Sequence, residues 1–128
     1  MDVLLDTHVL LWMLDDTSQL SPRAMSVLQN SSNKLHVSVA SFWEMAIKQA
    51  LGNRLSLTQT LNEIAGELAR LEIVLLPIEL ADALSVEHLP LHHRDPFDRL
   101  LISQALTRGF VILSRDSAFK DYPVQLEW

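Results

Sequence analysis

Apolar residues along the chain come in short blocks divided by polar punctuation, and the period within the blocks alternates. Val3 to Leu5 is a brief apolar run closed by Asp6, and a helix-length apolar segment from Val9 to Leu14 follows. Ser21-Pro22 then supplies a capping serine and a proline at the first helical position, which predicts a helix to about Gln29; Asn30 to Lys34 is a turn cluster. Leu35 to Val39 alternates as a strand does, and Ser41 to Leu51 carries Phe42, Trp43, Ala46, Ile47, Ala50 and Leu51 on one helical face, with Gly52 placed to end it. Thr60 with Glu63 is a capping box for a helix bearing Leu61, Ile64, Ala65, Leu68 and Leu71. Ile73 to Leu76 is a buried-type strand stopped by Pro77, and a helix from about Glu79 to Val86 leads into the loop LPLHHR. DPFDRLLISQALTRG opens on a cap and closes on glycine, so it reads as a helix; FVILS is a further strand, Asp116 to Phe119 a short turn or helix, and PVQLEW a last edge strand.

Short strands rich in Val, Ile and Leu that alternate with helices predict a mostly parallel sheet covered on both faces, a three-layer α/β/α arrangement. A length of 128 residues suits one domain over 1–128. The chain has no cysteine, no apolar run long enough to span a membrane and no basic head with a small-residue cleavage site, so the expectation is a folded cytoplasmic protein. Sixteen acids against ten bases give a net charge of −6. A protein that holds nucleic acid on a basic surface shows the opposite balance, so a nucleic-acid partner here requires bound cations and a local arginine cluster.

Ligands of open parallel sheets bind at the carboxyl ends of the strands, and that is where the acids fall. Asp6 follows the first strand and Asp116 follows FVILS by two positions; Glu44 lies in the second turn of the helix after the second strand, and Asp98 in the first turn of the helix before FVILS. If that last helix enters from the same edge, all four carboxylates converge. Two unit charges about 4 Å apart repel by about 4 kcal/mol at an effective dielectric near 20. Such a cluster calls for raised pKa values or a counter-cation, and oxygen-only ligation points to Mg²⁺ or Mn²⁺, which would also draw in a phosphodiester.

Each acid also has an ordinary structural explanation. Asp6 and Thr7 suit a helix cap, Glu44 at the edge of the apolar face suits a surface pair with Lys48, Asp95 caps the DPFD helix with Asp98 as the far half of that cap, and Asp116 suits a turn. Thr7 and Ser114 are secondary candidates for holding metal-bound water, while Arg94, Arg99 and Arg115 flank the acids in sequence and offer phosphate contacts. The five histidines have no zinc spacing, His92-His93 reads as loop, and Trp12 and Trp43 read as core. Three glycines exclude a phosphate-binding glycine loop. A phosphoacceptor domain would want an acid pair after the first strand and a lysine after the fifth, and an aspartyl phosphatase two aspartates around one residue; DTH and SRD meet neither pattern. A non-enzymatic interaction module, its acids only capping helices, remains the alternative.

LLDTHVLLWML, VSVASFWEMAIKQALGNRLSL, LPLHHRDPFDRLLISQAL and VILSRD together resemble the PIN-domain family, and within it the VapC-type toxins of bacterial toxin–antitoxin pairs. The similarity spans nearly the whole chain in order. The resemblance implies an α/β sandwich and a quartet of acids that binds Mg²⁺ or Mn²⁺ and hydrolyses RNA phosphodiesters to a 5′-phosphate and a 3′-hydroxyl. It places that quartet on Asp6, Glu44, Asp98 and Asp116, with Asp95 of the HRDPFD string as a secondary member, and no quartet position is substituted. It further implies a homodimer and inhibition by a cognate antitoxin protein.

Overall fold

The fold follows from which side chains the first strand sends to each side. In a computed structural model that describes residues 1–52, 55 and 57–128, β1 (Asp2–Leu5) is the centre of a five-stranded sheet. Its Val3 and Leu5 point to one face and Leu4 to the other, and all three are fully buried. Two cores form as a result. Val3 and Leu5 pack with α1 (Thr7–Asp15), α2 (Pro22–Gln29) and α4 (Leu61–Arg70) through Val9, Leu10, Val27, Ile64 and Leu68. Leu4 packs with α6 (Pro96–Arg108) and the chain's end through Leu101, Ile102, Phe119 and Tyr122. This is the expected α/β/α sandwich. The expected parallel sheet is parallel throughout, in the order β3 (Val74–Leu76), β2 (Lys34–Ser38), β1, β4 (Val111–Leu113), β5 (Gln125–Glu127).

Local chemistry sets the element ends much as expected. The Ser21 hydroxyl accepts from Ala24 N–H at 2.9 Å with Pro22 at the first helical position, and Gly109 closes α6 at φ +70°, a conformation that suits a residue without Cβ. Thr60 accepts from Glu63 N–H, so only the forward half of the expected box forms. The end of the VSVASFWEMAIKQALGNRLSL stretch falls partly on Asn53, Arg54 and Ser56, outside the described residues. Behind the sheet's upper edge, α5 (Leu80–Ser85) is fastened to α6 by a bidentate ion pair between Arg108 and the fully buried Asp82, at 2.6 and 3.0 Å.

One expectation is corrected. The apolar stripe read from α3 (Val39–Ala50) is not its buried face: Trp43 is 56% exposed, Leu51 beyond the helix end is 71% exposed, and Ala46 and Ala50 also face outward. The buried face carries Ala40, Ser41, Glu44 and Met45. Hydrophobicity marks an apolar stripe without saying whether the fold covers it. A carboxylate with partners takes the inward position here, and Trp43 packs edge-on to Phe97, ring centroids 5.1 Å apart. Among the described residues no helix is long and apolar enough to cross a membrane.

Candidate active site

The strand order reverses at β1: the chain moves outward through β2 and β3, then returns to add β4 on the other side. Ligand crevices of open parallel sheets form at such a switch point, because the two connections leave in opposite directions and part the loops. Asp6 ends β1 there, joined to β4 by Asp6 N–H donating to Leu113 O at 3.1 Å. A cavity of about 340 Å³ opens over it, lined by Asp6, Glu44, Asp98 and Asp116 together with Asp95, His93 and Lys48. The helix entry on which convergence depended is thus as required: α6 starts at the carboxyl edge and runs back beneath it.

Asp6 stands at the N-cap position of α1 without making a capping hydrogen bond. The residue is 6% exposed, and its carboxylate accepts from Ser114 Oγ at 2.8 Å, while Ser114 Oγ accepts from Asp116 N–H at 3.0 Å. Ser114 therefore ties the ends of β1 and β4 together. Burial pushes the Asp6 carboxyl above its ordinary range, and the Ser114 bond opposes that. Glu44 is 4% exposed; Thr7 Oγ1 donates to its Oε1 at 2.9 Å and Lys48 Nζ to its Oε2 at 2.7 Å. The i, i+4 pair with Lys48 exists, then, but inside the site rather than on the surface. Thr7 also lies 2.9 Å from Ser41 Oγ.

Asp98 is the most perturbed group. Its carboxyl is pushed up to about 8, first by burial and then by the negative charges of Asp6, Asp95, Glu44 and Asp116. Asp95 makes the expected cap, its Oδ1 accepting from Phe97 and Asp98 N–H at 2.8 and 3.1 Å, and its charge adds to the crowding around Asp98. Asp116 caps the short 3₁₀ turn Ser117–Asp121 with one oxygen, accepting from Ala118 N–H at 2.9 Å, and turns the other inward.

That inward oxygen meets a residue the sequence did not single out. His93 Nε2 lies 2.8 Å from Asp98 Oδ2 and 3.8 Å from Asp116 Oδ2. Nε2 is sealed from solvent but has no aligned hydrogen-bond partner, because neither oxygen lies on the ring N–H line. Asp95 N–H donates to His93 Nδ1 at 3.3 Å, which orients the ring with Nε2 beside the two acids. Among the described residues, His93, Asp98 and Asp116 are the set whose ligating atoms fall within 4.8 Å of one another; Asp6 and Glu44 line the same cavity outside that set.

The candidate arginines separate. Arg94 is exposed and does not line the cavity. Arg99 is fully engaged elsewhere: it donates to the carbonyls of Val86, Leu89, Pro90 and His93 and to the Tyr122 hydroxyl, at 2.8 to 3.4 Å. The Tyr122 hydroxyl also accepts from His93 N–H at 2.8 Å. This cage gives the LPLHHR loop one conformation and fixes His93, a role no local motif signals. Arg115 does reach the cavity wall, beside Trp12.

The PIN domain family model matches residues 3–125. The chain belongs to the PIN-domain family. Solved structures with this PIN fold include VapBC2 from Rickettsia felis bound to a promoter DNA fragment (TM-score 0.68, 12% identity, covering 98% of this chain and 97% of that one). FitAcB from Neisseria gonorrhoeae aligns with a TM-score of 0.63 at 17% identity over 97% and 95% of the two chains. VapBC-5 from Mycobacterium tuberculosis, a member of the VapBC family of toxin–antitoxin systems, aligns at 0.54 and 18% over 98% and 94%. No curated protein matches the sequence. At these identities the structures share the fold with this PIN domain, and its site rests on its own residues.

A hard divalent cation fits those residues. The donors are carboxylate oxygens, and two of them, on Asp6 and Asp98, carry pKa values raised first by burial and then by the neighbouring acids. Lys48, the cation closest to the cluster's floor, is committed to Glu44.

Proposed function

We propose that this PIN domain is a Mg²⁺- or Mn²⁺-dependent endoribonuclease and the toxin of a toxin–antitoxin pair. The observation that carries the reading is the gathering of Asp6, Glu44, Asp98 and Asp116 around one cavity at the sheet's switch point, where burial and the other acids push the half-buried Asp98 carboxyl up to about 8. Acids that served only as caps would have no reason to gather. Asp6, whose cap position goes unused, is the clearest departure from the interaction-module reading.

Asp6, Asp98 and Asp116 would hold the cation, which would supply Lewis-acid polarisation of a phosphate oxygen and lower the pKa of the attacking water. Glu44 is oriented by Lys48 and Thr7, and so is set to position the attacking water and take its proton. Ser114 holds Asp6 in register with Asp116. His93 Nε2 sits beside Asp98 and Asp116, and loss of the ring is expected to weaken Mn²⁺ binding by about ten- to a hundredfold. Calorimetric titration of His93→Ala against the parent checks this; equal affinities would remove His93 from the site.

Partners fit the same reading. The net charge of −6 leaves the phosphodiester to be drawn in by the cation, and exposed apolar side chains on α3 and α5 (Trp43, Leu80 and Leu84) offer surface for an antitoxin or a second copy of the chain. The test is incubation of the purified protein with single-stranded RNA. Cleavage that requires Mn²⁺ or Mg²⁺, stops with EDTA and leaves 5′-phosphate ends is expected. A protein that binds Mn²⁺ yet leaves every RNA intact would overturn the enzymatic reading.

A further inference from the structure

One wall of the acid cavity is aromatic and positively charged. His8 and Trp12 stand one turn apart on α1 and both line the cavity, their ring centroids 5.7 Å apart and tilted by 34°. The Arg115 guanidinium carbon lies 4.3 Å from the centroid of the Trp12 ring. Trp128 supports the indole from another side at 5.9 Å, so Trp12 is anchored to the core while still lining the cavity. His8 and Arg115 are exposed. Of the two cations in the lining, Lys48 is hydrogen-bonded to Glu44 at 2.7 Å, whereas the polar contact found for Arg115 is a long one, 3.4 Å to Gln19 Oε1. Arg115 therefore keeps donors to spare beside the acids.

Neither half of this wall is explained by the cation site. Aromatic rings facing water seek a flat apolar partner, and a guanidinium seeks an anion. A nucleotide supplies both in one unit. We propose that His8, Trp12 and Arg115 form a subsite for the nucleotide flanking the scissile phosphodiester, its base stacked on His8 and Trp12 and its phosphate met by Arg115. The inference rests on the nuclease reading and adds to it a nucleotide subsite, which requires an unpaired base because a base paired in a duplex has no free face to offer. Stacking on an aromatic wall accepts any base, so the subsite selects for unpaired structure rather than for sequence. Trp12, by holding the guanidinium over its ring, orders Arg115 before substrate arrives.

The test compares protein and ligand changes. Trp12 also packs against the core, so the exposed His8 and Arg115 carry it. Binding of a labelled oligouridylate, and of an abasic oligomer with the same backbone, is followed by fluorescence anisotropy on the cleavage-deficient Asp98→Asn protein, alone and with His8→Ala or Arg115→Ala added. Removing the bases, or either side chain, is expected to weaken binding by about tenfold. His8→Ala should add nothing to the abasic change, since both remove the stack; Arg115→Ala should add to it, since it reads the phosphate. In the cleaving protein the same substitutions should raise KM and leave kcat nearly unchanged. If the abasic oligomer binds as well as oligouridylate, or if both variants bind like their parent, the subsite is refuted even though cleavage proceeds. If duplex RNA binds as well as single strands, base stacking at this wall is refuted. Loss of binding as expected in a protein whose parent shows no divalent-dependent cleavage would uphold the subsite and defeat the nuclease reading.

Discussion

Asp98→Asn is expected to lower RNA cleavage at least about a hundredfold and, at the same time, to make the metal-free protein more stable. The second effect follows from the sign of the perturbation. The Asp98 carboxyl sits at about 8 in the folded protein, above the ordinary carboxylate range to which it returns on unfolding. Between about pH 4 and pH 8 the folded chain therefore keeps a proton that the unfolded chain has released. Stability falls as pH rises through that window and reaches its low point above pH 8. Asparagine carries no charge to repel Asp6, Glu44, Asp95 and Asp116, so the variant should show a flatter pH profile and melt higher near pH 8 by roughly 5 °C. Saturating Mn²⁺ should raise the parent's melting temperature, increasingly so at higher pH, because the carboxylate must lose its proton to ligate. The same ion should do little for Asp98→Asn. Thermal melts from pH 5 to pH 9 with and without Mn²⁺ read all of this, and an Asp98→Asn protein that melts lower than its parent at pH 8 would mean the acids are not in conflict.

Arg99→Met is expected to produce a large loss of stability although the residue lies outside the cavity. Arg99 satisfies four backbone carbonyls and a tyrosine hydroxyl at once, and methionine keeps much of the side chain's length while supplying no donor. Pro90 O keeps its bond from the Tyr122 hydroxyl, but the Val86, Leu89 and His93 carbonyls lose this donor at about 1–3 kcal/mol each when water cannot replace it, so a loss of about 3 kcal/mol overall is expected. Because the same cage holds the backbone of His93, the variant should also expose the amides of residues 86–95 to hydrogen exchange and weaken Mn²⁺ binding, although Arg99 does not line the cavity. Chemical denaturation, exchange and calorimetric titration measure the three effects. A variant as stable as the parent and with the same Mn²⁺ affinity would show that the loop holds itself.

The elements that carry the fold were legible because their signals are local. Val, Ile and Leu runs of strand length, Ser21-Pro22, Asp95-Pro96 and Gly109 each fix an element end within a few residues, and the βα alternation then leaves a parallel sheet as the way to bury both faces. The positions of the acids at strand and helix ends were legible for the same reason. What the acids touch was not. The α3 stripe of Phe42, Trp43, Ala46, Ile47, Ala50 and Leu51 looked like the core face, yet the helix is turned so that Glu44 and Met45 point inward. Glu44 tolerates burial because Thr7, 37 residues away, and Lys48 provide hydrogen bonds, and only the first of these depends on tertiary structure. His93 read as loop because it is in a loop; its placement comes from Arg99 and Tyr122, neither of which forms a motif with it. Arg99 read as a phosphate contact because a free arginine and a caged one are identical in sequence. Trp12 read as core and is partly that, but its ring also walls the cavity.

The account's central claim is that these carboxylates make one cation site. Anomalous diffraction from crystals of the protein soaked in Mn²⁺ tests it most directly. The expected map has a manganese peak in the cavity over β1 and β4, within direct bonding distance of Asp98 and Asp116 carboxylate oxygens and with Asp6 bonded or linked through water. A crystal that takes up manganese elsewhere and leaves this cavity without a peak, at a pH above 8 where Asp98 is ionised, would contradict the claim.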